Sequence, residues 1–444
     1  MTLISPRISF FTLGCKLNQA ETAALQHAAR KHGYIPVDFQ ESADVIVVNS
    51  CTLTNRADRK TRQALFQAKR RSPGSILVLA GCYPQVQGVG AAEIPGVDIV
   101  LGTRDKFAIF EALDTFREER EKTVRISPVN NPERWETTFI AATERSRAFL
   151  KIQEGCSNYC TYCIVPFARG NPVSRDFENT LQEAKRLSET GCREIILSGI
   201  DIGAYNDRGK SLMDLVVELE KLPELKRIRI SSIEMNTLSD ALIRHAAVSE
   251  KLMPHFHLSL QSGSDTILKA MNRKYRTEDF YKKVAVIRKH LPDASIGTDV
   301  IVGFPGESDA LFVESMNFIN EIAFAYLHIF RFSPRRGTVA AAMKDPVSET
   351  RKKERATLLK DTDRNLRETY ASRFYGTVQP VLWEQFEDGM CSGLTPHYLQ
   401  IREAGDPGML NRITKPELNA ANVIMKSDNC GATCPQESSG SKTL

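Results

Sequence analysis

Short apolar runs recur along this chain with helix-length stretches between them, and that alternation constrains the fold more than any single residue does. Ile8-Ser-Phe-Phe-Thr-Leu13, Asp44-Val-Ile-Val-Val48 and Ile76-Leu-Val-Leu-Ala80 read as strands, and residues 18–32 and 55–71 between them read as helices. Strands joined by helical crossovers lie parallel, so the first part of the chain is expected to be a doubly wound α/β domain. Each of these strands runs into a cysteine, as Leu13-Gly-Cys15, Asn49-Ser-Cys51 and Ala80-Gly-Cys82. Ligands of such sheets gather outside the carboxyl ends of the strands, which brings three cysteines remote in sequence to one edge. Any one of them alone reads as a small buried residue at a strand end. The repetition of position instead points to a metal–sulfur site. Gly14 and Gly81 would allow close backbone approach there, and Asn18, Asn49 and Asn55 could settle sulfurs or serve as turn and cap residues.

A second cysteine set is local: Cys156, Cys160 and Cys163 fall within Lys151-Ile-Gln-Glu-Gly-Cys-Ser-Asn-Tyr-Cys-Thr-Tyr-Cys-Ile-Val-Pro166. Three thiolates hold three irons of a four-iron cluster and leave the fourth without a protein ligand, an open position where a substrate can bind and receive an electron. Structural zinc fits poorly, because it takes four ligands and no second cysteine pair lies nearby. After this loop come Glu194–Ser198, Arg227–Ile233, His255–Leu260, Ser295–Val302 and Ala325–Phe330, again with helical stretches between them. With Phe149–Ile152 they make six units, enough for a partial (β/α) barrel whose reactive groups sit at the strand C-terminal ends. Those ends carry Ser198, Gly199, Asp201, Glu234, Ser259, Gln261 and Asp299 through Gly303.

The chain has 444 residues with a formal charge of +5, enough for two or three domains and only mildly basic, so charge alone does not argue for nucleic acid. Its ten cysteines form no disulfide framework, the start lacks the pattern of a signal peptide, and no apolar run approaches membrane-spanning length. A reducing cytoplasm without a membrane role is expected. The stretch 117–147 reads as a linker with short ordered pieces. Residues 349–373 read as a charged helix, leading into short strands broken by Gly and Pro, as in a small β barrel. Ser427–Leu444 is expected to be mobile, with Cys430 and Cys434 in it read as bland, and Cys192 and Cys391 read as packing residues.

With both cysteine sets in place the chain resembles the radical S-adenosylmethionine methylthiotransferases along nearly its whole length. Thr12-Leu-Gly-Cys-Lys-Leu-Asn18, Asn49–Arg59, Gly81-Cys-Tyr-Pro-Gln85, the Cys156 motif, His257-Leu-Ser-Leu-Gln-Ser-Gly-Ser264 and Asp299-Val-Ile-Val-Gly-Phe-Pro-Gly306 carry the likeness. The surroundings of Cys15 and Cys51 look most like the branch acting on N6-threonylcarbamoyladenosine in tRNA. The resemblance implies residues 1–130 as a methylthiotransferase domain, 131–372 as a radical SAM domain with a partial (β/α)6 barrel, 373–427 as an OB-like TRAM β barrel and 428–444 as a tail. It implies two 4Fe–4S clusters, one on Cys156, Cys160 and Cys163 and an auxiliary one on Cys15, Cys51 and Cys82. One S-adenosylmethionine is then implied to methylate a sulfur at the auxiliary cluster, and another to give a deoxyadenosyl radical that takes hydrogen from C2 of the adenine. Such a C–H has no acidic proton for a side-chain base, so the hard step falls to a cofactor.

Tyr162, Ser198, Gly199, Glu234, Ser259, Gln261, Asp299 and Val302 follow as cofactor-binding candidates, with no catalytic residues beyond the cluster ligands. Expected partners are the tRNA anticodon stem-loop and an electron donor such as flavodoxin or ferredoxin, with the sulfur source open. Arg56, Arg59, Lys60 and Arg62 on the second helix are candidates for holding RNA phosphates, or form an ordinary solvated face. The TRAM-like segment sets Arg373, Arg402, Arg412 and Lys415 against several acidic residues. Two departures from the family pattern are Met235, where proline is usual, and Gly170–Arg175, which lacks an arginine before its serine. Alternatives are methylthiolation of isopentenyladenosine or of a ribosomal protein residue, and, in a different class, a non-catalytic iron–sulfur RNA-binding protein.

Overall fold

The computed structural model describes residues 5–130 and 146–425. These fall into two compact units, one of residues 5–130 with 163–171, the other of 146–162 with 172–425. Residues 131–145 of the expected linker, and the tail with Cys430 and Cys434, lie outside the described residues.

The first unit is built on six parallel strands: β1 (Arg7–Thr12), β2 (Ile35–Val37), β3 (Val45–Ser50), β4 (Ile76–Gly81), β5 (Ile99–Leu101) and β6 (Thr123–Arg125), in spatial order β2-β1-β3-β4-β5-β6. Alternation along β3 shows why both faces must be covered: Val45 and Val47 join one apolar cluster, and Ile46 and Val48 join the other. The helices α1 (Lys16–Lys31) and α4 (Ile109–Glu119) supply Leu25, Ala29, Ile109 and Leu113 to the first cluster, while α2 (Asn55–Arg71) supplies Ala64, Leu65 and Ala68 to the second. The doubly wound expectation is met. The short strands β2, β5 and β6, each of three residues, are not legible in the sequence because runs so short carry no periodicity.

In the second unit the barrel strands form two parallel arcs. Glu194–Ser198 lies between Arg147–Lys151 and Arg227–Ile230, and Ser232–Ile233 continues through His255–Gln261 and Ser295–Val302 to Tyr326–Arg331. The strand expected over Arg227–Ile233 is interrupted at Ser231, which divides the arcs. Leu258, Val300 and Leu327 face the helices in the main apolar core. On the opposite side of the same strands stand His257, Asp299 and His328, so the concave face is polar.

The long helix Glu349–Ser372 leads to a five-stranded antiparallel sheet that includes Val381–Glu387, Met390–Leu394 and Gln400–Ala404. This sheet packs within the same unit, with Trp383, Ile401 and Val423 against Ala325, Tyr370 and Phe374.

Buried charge joins the sheet to the barrel. Glu194 accepts from Arg147 Nε at 2.8 Å and Arg229 Nε at 2.9 Å. Arg147 also reaches Glu384 at 3.1 Å, and Arg227 donates to the Leu394 and Pro380 carbonyls at 2.7 and 2.9 Å.

Candidate functional site

In the first unit, register places the cysteines. Asn49 on β3 stands opposite Thr12 on β1 and Ala80 on β4, and Ser50 opposite Gly81, so the chain leaves three neighbouring strands at one level. Cys15 is the N-cap of α1, Cys51 directly follows β3, and Cys82 opens α3 (Cys82–Gln87). Gly14 holds φ at +119°, and a Cβ there would lie 2.7 Å from Cys51 Cβ and 3.2 Å from its sulfur, so only glycine lets the two strand ends close. Asn18 bridges the same ends, donating to the carbonyls of Leu13 at 2.8 Å and Ser50 at 3.0 Å while its amide oxygen accepts from Cys15 Sγ at 3.3 Å.

Burial pushes the Cys51 thiol up, and the nearby Cys82 and Cys15 push it the same way. For Cys82 burial also dominates, opposed by the positive charges of Arg169 and Lys106. Held as neutral thiols by burial, Cys51 and Cys82 keep their protons until a cation replaces them, and with Cys15 at the neighbouring strand end this donor set suits a metal or an iron–sulfur cluster.

In the second unit the Cys156 loop precedes the short helix α5 (Val165–Arg169), which belongs to the first unit along with Cys163. Cys156 accepts the Asn158 N–H at 3.4 Å, and burial pushes its pKa up to about 11. Cys160 accepts from Arg273 at 3.2 Å. Arg273 is the hub of this site, ion-paired with Glu234, donating to the Ser259 carbonyl at 3.1 Å, and reaching Tyr275 Oη at 3.0 Å. Burial raises the Glu234 carboxyl, and Arg273 opposes it. Donors aimed at sulfur are what a thiolate ligand of a cluster requires, and Arg273 supplies one.

The cofactor candidates are placed unevenly. Glu234 and Ser259 converge on Arg273, and Gln261 sits after a register shift with φ at +71°, the bulge held by Tyr275, whose hydroxyl donates to the Ser259 and Leu260 carbonyls. Asp299 Oδ1 lies 3.0 Å from His257 Nε2 and 3.3 Å from His328 Nδ1, and these imidazoles hold its carboxyl well below the usual range despite burial. His257 Nδ1 in turn meets Tyr326 Oη at 3.0 Å, which fixes the ring. Gly199 is packed so that a Cβ would meet Ile202 at 2.5 Å and Gln153 at 3.0 Å, while Gln153 Oε1 accepts the Ile200 and Asp201 N–H groups. Tyr162 packs against an apolar cluster that includes Phe304 and Phe332.

Two candidates are not brought into this group. Ser198 is fully buried with its hydroxyl turned back to the Ile196 carbonyl, and Val302 lies in the apolar core with its carbonyl accepting from Phe332 N–H. Met235, at the departure from the family pattern, packs in the same core.

Arg273, Tyr275, Gln153 and Arg169 escaped sequence reasoning. Arg273 follows a short helix rather than a strand end, so the search of barrel strand termini passes it by.

On α2 the Thr54 hydroxyl accepts the Ala57 N–H at 3.1 Å, and the buried stripe Ala57, Thr61, Ala64, Leu65 and Ala68 turns Arg56, Arg59, Arg62 and Phe66 outward. Lys60 is half-buried at the stripe's edge. Phe66 is 71 % exposed, an aromatic surface among cations that suits a nucleic-acid base beside its phosphates.

Comparison with known proteins agrees with this geometry. Residues 150–319 match the Radical SAM superfamily, and residues 7–102 match a family described as Uncharacterized protein family UPF0004. Threonylcarbamoyladenosine tRNA methylthiotransferase MtaB of Bacillus subtilis is 40 % identical over 93 % of both chains, and the protein of that name from Aquifex aeolicus is 38 % identical over 92 % of this chain and 99 % of its own. A tRNA-2-methylthio-N(6)-dimethylallyladenosine synthase from Rickettsia conorii is 31 % identical over 94 % of this chain and 99 % of its own. Among solved structures, the radical S-adenosylmethionine methyltransferase TsrM from Kitasatospora setae superposes with a TM-score of 0.57 at 13 % identity, covering 76 % of this chain and 77 % of that one, a likeness of fold.

Proposed function

Because this chain belongs to the radical S-adenosylmethionine tRNA methylthiotransferases, we propose that it places a methylthio group on C2 of the adenine in tRNA N6-threonylcarbamoyladenosine, and that its two cysteine sets divide the work. The substrate reading rests on identities of 40, 38 and 35 % to three relatives named for threonylcarbamoyladenosine, against 31 to 32 % to dimethylallyladenosine enzymes.

Cys156, Cys160 and Cys163 would hold the cluster that binds S-adenosylmethionine through its open iron and supplies the electron that splits the carbon–sulfur bond. Arg273 keeps Cys160 and Glu234 in one arrangement, and its positive charge would offset the like negative charges of a cluster-bound thiolate and the carboxylate. The bulge at Ser259–Gln261 gives its carbonyls to Arg273 and Tyr275, and Asp299, fixed and ionised by His257 and His328, presents an acceptor for N–H or hydroxyl donors of cofactor or substrate. Cys15, Cys51 and Cys82 would hold the auxiliary cluster. Arg56, Arg59 and Arg62, with Lys60 beside them, offer cations for tRNA phosphates, giving affinity rather than sequence choice. We assign residues 1–130, 131–372 and 373–427 to the methylthiotransferase, radical SAM and TRAM-like segments, with a cytoplasmic reductant serving the first two.

The observation that carries this reading is the convergence of Cys15, Cys51 and Cys82 at three adjacent strand ends in a chain that also carries the Cys156 loop. Its test is the nucleoside profile of tRNA from a deletion strain. Loss of 2-methylthio-N6-threonylcarbamoyladenosine, with the unmodified nucleoside accumulating and 2-methylthio-isopentenyladenosine retained, is expected. Persistence of the first nucleoside in a genome without a second such enzyme would overturn the substrate assignment.

A further inference from the structure

The helix α2 carries seven cations, Arg56, Arg59, Lys60, Arg62, Lys69, Arg70 and Arg71, and a single acid, Asp58. That acid is buried and accepts the Thr52 hydroxyl at 2.8 Å, so the outward face of the helix carries no acid of its own. Lys69 and Arg71 serve the fold: Lys69 donates to the Ser75 carbonyl at 3.1 Å and pairs with Asp98 at 3.6 Å, and Arg71 lies over the Phe39 ring. Arg59, Arg62, Phe66 and Arg70 all lie on the exposed face. At 3.6 residues per turn these four fall within about 80° of the circumference, with neighbours about 4.5 to 6 Å apart along the axis. Phe66 therefore stands in a row of cations, with Arg62 one turn before it and Arg70 one turn after.

Such a face costs stability. Like charges three or four residues apart, as in Arg59 with Arg62 and Arg56 with Lys60, destabilise a helix, and cations in its first turns oppose the positive end of the macrodipole. A solvated face ordinarily interleaves acids with bases, as on the helix Glu349–Ser372, where Arg351 pairs with Glu354 and Arg364 with Asp361. A ring left 71 % exposed also gains little from burial. An unpaired nucleic-acid strand satisfies both features at once, with its phosphates on the cations and a base on the ring.

The row has a fixed relation to the strand-end cysteines. The N-cap of α2, Thr54, comes three residues after Cys51, and Arg62 reaches the hydroxyl of Tyr83, the residue after Cys82, at 3.4 Å. Phe66 lies about 18 Å along the helix from that N-cap, so a base on its ring is not the adenine that reacts beside the cysteines.

Resting on the tRNA reading above, we propose that Phe66 is a stacking platform for one unpaired base of the anticodon loop, from a nucleotide other than the modified adenosine, with Arg59, Arg62 and Arg70 on the flanking phosphates. Every base has a π face, so the platform accepts loops of different sequence. A duplex keeps its bases stacked on one another and gains only the phosphate contacts. The row selects an open loop without reading its letters.

The test titrates the full-length reconstituted protein, by filter binding, with an anticodon stem-loop carrying N6-threonylcarbamoyladenosine and with a blunt duplex of the same stem sequence. Wild-type protein that does not bind the stem-loop would refute the tRNA reading itself, a result distinct from the outcomes below. Phe66→Ala should weaken stem-loop binding about tenfold, with the slope of log affinity against log salt unchanged because no charge is removed. Its duplex binding should stay at the wild-type value, which also shows that the variant is folded. Phe66→Trp should restore stem-loop affinity, and Arg70→Ala should flatten the salt slope by about 1 on both RNAs. Abasic substitution along the loop should find one position, away from the modified adenosine, whose loss weakens wild-type binding as Phe66→Ala does and weakens Phe66→Ala no further. Wild-type stem-loop affinity in Phe66→Ala, an equal loss on the duplex, or no abasic position that reproduces the loss would overturn the proposal.

Discussion

Replacing Glu194 by glutamine should destabilise the barrel unit far more than a neutral, nearly isosteric change ordinarily does. The carboxylate is fully buried and faces Arg147, Arg229 and Arg227, with Arg227 NH1 at 3.9 Å. Their positive charges outweigh desolvation and bring its pKa from 4.5 to about 2. A drop of roughly 2.5 units corresponds to about 3 kcal/mol of preference for the ionised form in the folded chain.

The sign follows from the depressed folded-state value. Between pH 2 and 4.5 the unfolded chain binds the extra proton, so this contribution is complete above about pH 4.5 and is lost as pH falls toward 2. Glutamine also leaves three guanidinium groups around a site with no compensating charge of its own, and breaking a buried pair typically costs about 3 to 5 kcal/mol. The expected loss is therefore about 3 kcal/mol or somewhat more.

Trp383 gives the assay. It is buried in the antiparallel sheet that Arg147, Arg227 and Arg229 tie to the barrel, so its emission in a Trp135→Phe background follows unfolding of that unit. Urea titration of the metal-free chain at pH 7 should move the midpoint down by about 1 M. The gap between the two proteins should hold constant from pH 6 to 8 and narrow only below about pH 4.5. A loss under about 1 kcal/mol, or a gap that varies through neutrality, would refute the argument that charge at Glu194 holds these arginines.

Anaerobically reconstituted protein should carry about eight irons, and the Cys156→Ala, Cys160→Ala, Cys163→Ala variant about four, measured by colorimetric iron assay. Replacing Arg273 by methionine keeps the stem but removes the donor to Cys160 and the partner of Glu234, so 5′-deoxyadenosine release should fall at least tenfold, read by chromatography with dithionite and S-adenosylmethionine. Changing Arg56, Arg59 and Arg62 together to alanine should weaken tRNA binding and flatten the slope of log affinity against log salt by about 2 to 3, read by filter binding, while 5′-deoxyadenosine release stays intact. An unchanged slope would return those residues to an ordinary solvated face.

Much of this architecture is legible from one sequence because it depends on local patterns. Val45–Val48 is apolar on both faces and therefore demands helices on both sides. Thr54 before the stripe of Ala57, Thr61, Ala64 and Ala68 marks a helix start, and glycine before Cys15 and Cys82 marks a strand end turning sharply. Ser198 and Val302 show where that reading stops. Position at a strand's C-terminal end is a property of order along the chain, whereas the direction of a side chain depends on the pleat, and in both residues it turns inward. Charge networks are less legible still. Arg169 pairs with Glu21 across 148 positions, and Arg229 with Glu194 across 35, and in the sequence each is one arginine among many. Burial gives such a pairing its meaning, because the energy of an ion pair depends on the surrounding dielectric and is small at a solvated surface. The two networks then differ in kind. Around Glu194 the arginines join barrel to sheet: Arg147 also pairs with Glu384, and Arg227 and Arg229 also satisfy the carbonyls of Leu394, Pro380 and Pro396. Around Glu21 the network instead lies beside the strand-end cysteines, where Arg169 reaches both Glu21 and Asn18 Oδ1, the oxygen that accepts from Cys15 Sγ, so that burial there orders the turn that carries a sulfur rather than a joint between two sheets.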